Sequence, residues 1–291
     1  MRDKSTGYRI FSVINVGFML CVLFICLYPF IYMLAISLSS ARAVINGWVS
    51  FVPVEFTLDS YKMIISHTQF RIGYTNTIIY TIGGTLIALT LMCLMAYPLS
   101  KTFLRGRGIL MKLVIFSMFF AGGMIPNLML VIWLKLNNTI WAMLLPFAIS
   151  QFNLIILINF FRSLPDSIEE AAVIDGMGYF GILAKIVVPL SMPAIATIAL
   201  YTAVFFWNDW FYSLIYMNSN ERYSVMVYLR NIVSGQSMAG AAAGTGSSER
   251  TTVYATLRAT SIILTSLPII ILYPFLQRFF VKGLTVGSVK G

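Results

Sequence analysis

The sequence predicts an all-α, polytopic membrane protein with six transmembrane helices, and three observations predict it. Of the 291 residues, 59% are apolar and only 10% are charged, against about 25% charged in soluble domains. Six stretches, 10–41, 72–100, 113–134, 136–161, 186–208 and 259–277, contain no Asp, Glu, Lys or Arg, and the shortest has 19 residues. A bilayer core takes about 20 helical residues at a rise of about 1.5 Å each. These runs are also apolar on every side, whereas the strands of a membrane barrel alternate over about ten residues.

Helix 1 is expected over 10–38, an outer loop over 39–71, helix 2 over 72–100, helix 3 over 108–134 and helix 4 over 136–161. A cytoplasmic loop over 163–189 leads to helix 5 over 190–216, an outer loop over 217–255, helix 6 over 256–280 and a cytoplasmic tail over 281–291, all within one domain, 1–291. The first run is too long for the apolar part of a signal peptide, and Tyr28, Pro29, Phe30 and Ile31 continue it without a small-residue cleavage site. A retained helix is expected there. The uncharged run 231–248 is largely Gly, Ala and Ser, which reads as a loop and not as a span. Pro126, after Gly122 and Gly123, predicts an interruption or kink in helix 3, the alternative being a proline tolerated inside a membrane helix.

An even number of spans leaves both termini on one side. Arg2, Lys4 and Arg9 precede the first span, and Lys101, Arg105, Arg107 and Lys112 crowd the second connection without an acid, so both termini are expected in the cytoplasm. The net charge of +10 is distributed between apolar runs in this way, which argues for membrane orientation and against a nucleic-acid face. Cys21, Cys26 and Cys93 sit inside apolar runs as small hydrophobes. His67 has no second histidine or carboxylate cluster beside it, so neither a metal site nor a catalytic pair is expected.

Residues 163–189 carry the most specific signal. Asp166 and Glu169 form an Asp-x-x-Glu capping pattern, and a short helix is expected over about 167–175, stopped by Gly176 and Gly178. Ala171 and Ala172 leave a low surface that another protein can approach, and Glu170 offers a carboxylate to a basic partner. An amphipathic helix lying on lipid is the competing reading. Such helices are rich in Lys and Arg, whereas this segment carries Asp166, Glu169, Glu170 and Asp175 against Arg162 and Lys185.

Glu170-Ala171-Ala172, then Gly176, Ile186, Val188 and Pro189 resemble the EAA loop of permease subunits in binding-protein-dependent ABC importers. Val188 replaces the family's usual leucine. Asn76-Thr77, the stretch 96–100, Trp207-Asn208-Asp209-Trp210 and the tail from Gln277 to Gly291 resemble the carbohydrate-uptake branch of the maltose and oligosaccharide type. Gly122-Gly123-Met124-Ile125-Pro126 resembles the subgroup handling polysaccharide fragments, alginate among them.

That resemblance implies a type I ABC importer permease fold in the cytoplasmic membrane of a prokaryote. It further implies a second permease subunit, two cytoplasmic ATPases holding ATP and Mg, an external solute-binding protein and a carbohydrate substrate. Glu169, Glu170, Ala171, Ala172, Asp175, Gly176, Ile186 and Pro189 inherit the ATPase-coupling role. Val286, Gly287, Lys290 and Gly291 inherit a tail contact with the ATPase pair, and Gly240, Gly244 and Gly246 fall in the loop that can enter the binding protein. No cofactor is expected in this chain, which has no Gly-x-x-x-x-Gly-Lys-Ser/Thr phosphate cradle and so is not expected to be an enzyme.

Trp207, Asn208, Asp209, Trp210 and Tyr212 combine aromatic faces with polar groups, as a sugar requires, and a carboxylate at membrane depth is costly unless it has a partner or a wet cavity. The same residues also suit an aromatic belt at the membrane surface. A secondary transporter or channel is the alternative from another class, although its coupling charges would be expected inside the spans, which are bare apart from Asp209.

Overall fold

A computed structural model describes residues 6–234 and 247–287, without the side chains of 6, 247–253 and 275–287. It is mostly helical, and an isolated bridge between Ser39 and Phe56 is the only β-pairing among the described residues. The chain forms two compact units, one of residues up to Thr68 with Leu229–Leu267, the other of Gln69–Tyr228 with the residues from Pro268 onward.

In the first unit, α1 (Thr6–Ser37) is apolar all round and exposed along most of its length, with Val13, Ile14 and Phe18 each more than 60% accessible. A helix of that kind needs lipid or another protein around it. The segment expected as an outer loop is partly helical, with α2 (Ala41–Ile45) and α3 (Asp59–Ser66). Serines fix its path. Ser39 Oγ donates to Ala35 O at 2.7 Å and accepts from Val54 N–H at 3.0 Å, and Ser40 Oγ caps α2 by accepting from Ala43 N–H at 3.1 Å. Ala35, Ile36, Ala43, Val49 and Ala259 form the small core of this unit.

The second unit is built on α4 (Thr68–Ser100), which starts four residues earlier than expected. It continues with α5 (Arg107–Phe119), α6 (Met124–Trp133), α7 (Ile140–Leu144), α8 (Gln151–Arg162) and α9 (Asp166–Ile174). After α9 come α10 (Tyr179–Ile182), a π-turn over Leu183–Val187, α11 (Val188–Leu190), α12 (Met192–Asn208) and α13 (Phe211–Tyr216). α14 (Val225–Val233) and α15 (Ser247–Gly287) complete the chain order, each with residues in both units.

By length and composition, Gly7–Ser37, Thr68–Ser100 and Tyr254–Pro274 can each cross a membrane, and two bent helix pairs raise the number to five. Several of the expected spans are broken into shorter helices. Helix 3 is broken where the glycines and Pro126 are, α5 and α6 meeting at 113° with Gly123 in a positive-φ conformation (+88°). Helix 4 is two short helices, because Pro146 cannot continue α7 and Ser150 starts α8 by accepting from Asn153 N–H at 3.4 Å. Helix 5 ends at Asn208 and resumes as α13. The outer loop expected over 217–255 contains α14 and the start of α15.

Two cores hold the second unit together. In one, Met92, Ala96 and Leu99 of α4 pack with Leu157, Ile158 and Phe161 of α8 and with Ile198 of α12. The other joins Tyr80 of α4, Val131 of α6, Ala142–Leu144 of α7 and Tyr216 of α13. Gly84 lets α12 approach α4, since a Cβ there would lie 2.4 Å from the Phe206 ring.

Candidate coupling surface and saccharide cleft

α9 begins one residue before its expected start. Pro165 precedes it in an extended conformation without a side-chain cap, so the expected Asp166–Glu169 capping box is absent. Both acids lie in the first turn, where the positive helix end favours them. The C-terminal stop is a Schellman motif: Gly176, at φ +77°, donates to Val173 O at 3.0 Å, and Met177 N–H donates to Ala172 O at 2.9 Å. Gly178 is not part of that stop; it precedes α10 in an extended conformation.

The two alanines separate. Ala172 is buried in the core shared by α4, α8 and α12, whereas Ala171 is exposed beside Glu170. The outward surface is partly acidic, from Asp166 and Glu170, and partly apolar, from Ile174 and Phe180, which are 85% and 78% accessible. A large exposed apolar surface next to charge marks a protein interaction site. Beside it runs a groove of about 810 Å³ lined by Lys101, Arg162, Asp166, Glu169, Glu170 and Ile174, among others. Asp175 is exposed at the helix end. Ile186 and Pro189 sit apart from this face, Ile186 packed against the core and Pro189 in α11.

Glu169 points inward. Its carboxylate accepts from Lys101 Nζ at 2.5 Å and from the Tyr97 hydroxyl at 3.1 Å, and the Lys101 ammonium lies 5.2 Å from the centre of the Tyr97 ring. The two charged side chains are only 12% and 15% accessible. Sequence reasoning marks Lys101 only as an orientation signal and misses Tyr97, because nothing local joins positions 68 and 72 residues away.

The aromatic stretch from the end of α12 into α13 does not line one site. Trp207 is buried edge-on to Tyr74, with ring centres 5.6 Å apart, and Asn208 Nδ2 donates to Val204 O within its own helix at 3.0 Å. The Asp209 carboxylate caps α13, accepting from Tyr212 N–H at 3.2 Å and Ser213 N–H at 2.9 Å. Trp210 is exposed against Phe211. Tyr212 packs behind Phe147, with ring centres 4.4 Å apart.

A different place combines rings and hydroxyl partners. The break between α7 and α8 opens a cleft of about 420 Å³ against α4 and α12, lined by Phe147, Gln151, Asn153, Tyr201, Thr202 and Phe205, among others. Phe147 and Phe205 lie 5.3 Å apart between centres. Thr202 is 6% accessible, and its Oγ1 is buried without a hydrogen-bond partner. The sequence signal that marks the cleft is Pro146 followed by the Ser150 cap.

Gly240, Gly244, Gly246, Lys290 and Gly291 lie outside the described residues. Val286 and Gly287 end α15.

Three helices long and apolar enough to cross a membrane, two bent apolar helix pairs and a short helix with an exposed acidic and apolar face are features of an integral membrane protein. The chain belongs to the family described as the binding-protein-dependent transport system inner membrane component, whose model matches residues 94–286. It is similar to the polygalacturonan/rhamnogalacturonan transport system permease protein YtcP of Bacillus subtilis (strain 168), at 41% identity over 286 residues, 97% of this chain and 99% of that protein. Protein LplC of the same organism is 40% identical over 293 residues, covering 100% and 98%. In structure the chain is similar to a bacterial ABC transporter involved in the import of the acidic polysaccharide alginate, with a TM-score of 0.87, 34% identity and coverage of 96% and 100%. The type I permease fold expected from the EAA segment is the fold of this match.

Proposed function

We propose that the chain is the membrane-spanning subunit of an ATP-driven importer that moves an oligosaccharide or polysaccharide fragment, such as a uronic-acid chain, across the cytoplasmic membrane. The observation that carries this reading is α9, an exposed acidic and apolar helix rooted in the core by Ala172 and Glu169. The names of the similar permeases, which refer to polygalacturonan, rhamnogalacturonan and alginate, supply the substrate class. ATP and Mg are held by two partner ATPases, with Glu170, Ala171 and the exposed end of α9 seated in them. A second permease completes the pathway, and an external binding protein delivers the sugar.

With α7 and α8 counted as one broken crossing, the chain crosses six times and both termini are cytoplasmic. The tail through Val286, Gly287, Lys290 and Gly291 then meets the ATPases, and the segment with Gly240, Gly244 and Gly246 faces the binding protein. Within the membrane, the cleft beside Phe147, Thr202 and Phe205 holds the sugar, ring faces against aromatics and hydroxyls toward Thr202, Gln151 and Asn153.

The test is the assembled importer in liposomes, supplied with galacturonate oligosaccharides on the binding protein. Uptake that requires ATP, and loss of ATPase co-purification on Glu170→Lys, are the expected results. Uptake indifferent to nucleotide would instead indicate a secondary transporter or channel.

A further inference from the structure

Tyr97, Lys101 and Glu169 form a three-membered cluster that no docking role requires. Glu169 lies on the inward side of α9 with its carboxylate bonded to Lys101 and Tyr97, whereas Glu170 is exposed. Its bond to Lys101 joins α9 directly to the end of α4, the 33-residue helix around which the second unit is built. Tyr97 closes the cluster from two directions, by its hydroxyl to Glu169 and by its ring face to Lys101. Arg107 secures the same helix end, its Nε donating to Leu99 O at 2.7 Å. A contact between two charges in little water holds its geometry because no solvent competes for either partner.

We propose that Lys101 and Glu169, held by Tyr97, are positioning residues that make α9 and α4 move as one body, so that a displacement of α9 by the ATPase reaches the membrane span through this pair. The proposal rests on the docking of α9 in the ATPases that the proposed function assigns. Ala172, with Leu164 and Met177 on either side of α9, packs on the apolar core; the ion pair supplies direction and register.

The experiment uses the assembled importer in lipid nanodiscs, with Cys21, Cys26 and Cys93 replaced by serine and spin labels at Ser167→Cys and Leu91→Cys. The label separation is measured before and after trapping ATP with vanadate. With the pair intact it should hold within about 2 Å, the size of helix shifts at interfaces. Lys101→Gln and Glu169→Gln should each let it shift or broaden beyond that on trapping, and the exchange Lys101→Glu with Glu169→Lys should restore it. Unchanged distances in both single variants, a wild-type distance that itself changes on trapping, or an exchange no better than the single variants would overturn the proposal. If the single variants do not assemble, Tyr97→Phe, which removes no charge, decides: broadening supports the strut and a wild-type distribution defeats it. A Glu170→Lys complex that keeps its ATPases shows instead that the docking reading is at fault, and removes the ground of this proposal with it.

Discussion

Thr77 Oγ1 accepts the backbone N–H of Val225 at 2.8 Å while donating to Gly73 O at the same distance, joining positions 148 residues apart. Asn76 Nδ2 donates to Glu221 O and Tyr223 O, and the Tyr80 hydroxyl donates to Arg222 O. One face of α4 thus clasps residues 221–225. Thr77→Val leaves a buried N–H without a partner, a loss of about 1–3 kcal/mol. Its melting midpoint in detergent is expected below that of wild type, with Thr77→Ser close to wild type.

Gly84 and Gly83 give opposite expectations one residue apart. A Cβ at Gly84 would meet the buried Phe206 ring at 2.4 Å, whereas at Gly83 the nearest atom is a Leu144 methyl at 3.5 Å, an ordinary contact. Gly84→Ala should destabilise by about 1–3 kcal/mol through overpacking, and Gly83→Ala should not. Paired thermal melts decide it; partial rescue of Gly84→Ala by Phe206→Leu would locate the clash.

Gly176→Ala isolates backbone strain, since nothing lies within 4 Å of its Cβ position and its φ is +77°. A left-handed alanine costs about 1–2 kcal/mol. The end of α9 should open more readily, read as faster amide exchange at positions 176 and 177 and weaker retention of the ATPases on purification.

Thr202→Val separates binding from stability. The buried hydroxyl has no partner in the protein, so its removal should leave the melting temperature unchanged or raised. If the hydroxyl meets the sugar, the concentration for half-maximal uptake should rise about tenfold, equivalent to about 1.4 kcal/mol. An unchanged uptake curve would remove the cleft from the substrate path.

The membrane class and the α9 segment are legible in the sequence because both depend on local facts: charge-free length, and an acidic start with a glycine stop. The break in helix 3 is visible in Gly122, Gly123 and Pro126. The break in helix 4 is marked by Pro146 as a place where a helix can bend or end, but an apolar run of sufficient length otherwise looks alike whether it forms one helix or two. Asp209 invites a reading from its charge, but its neighbours' amides claim the carboxylate. Glu169 groups by spacing with the outward acids, yet its partner is set by tertiary packing, beyond the reach of spacing.

At Ser191 the helical segment Tyr179–Leu190 meets Met192–Asn208 at 82°. Pro189 lacks the N–H that would close the ladder to Lys185 O, and a π-turn over Leu183–Val187 precedes the corner. Two arms near a right angle behave as a bell crank. A push along the first arm arrives at the second crosswise, so a thrust delivered along Tyr179–Leu190 would swing Met192–Asn208, and with it the Thr202 and Phe205 side of the cleft, sideways instead of sliding it along its axis.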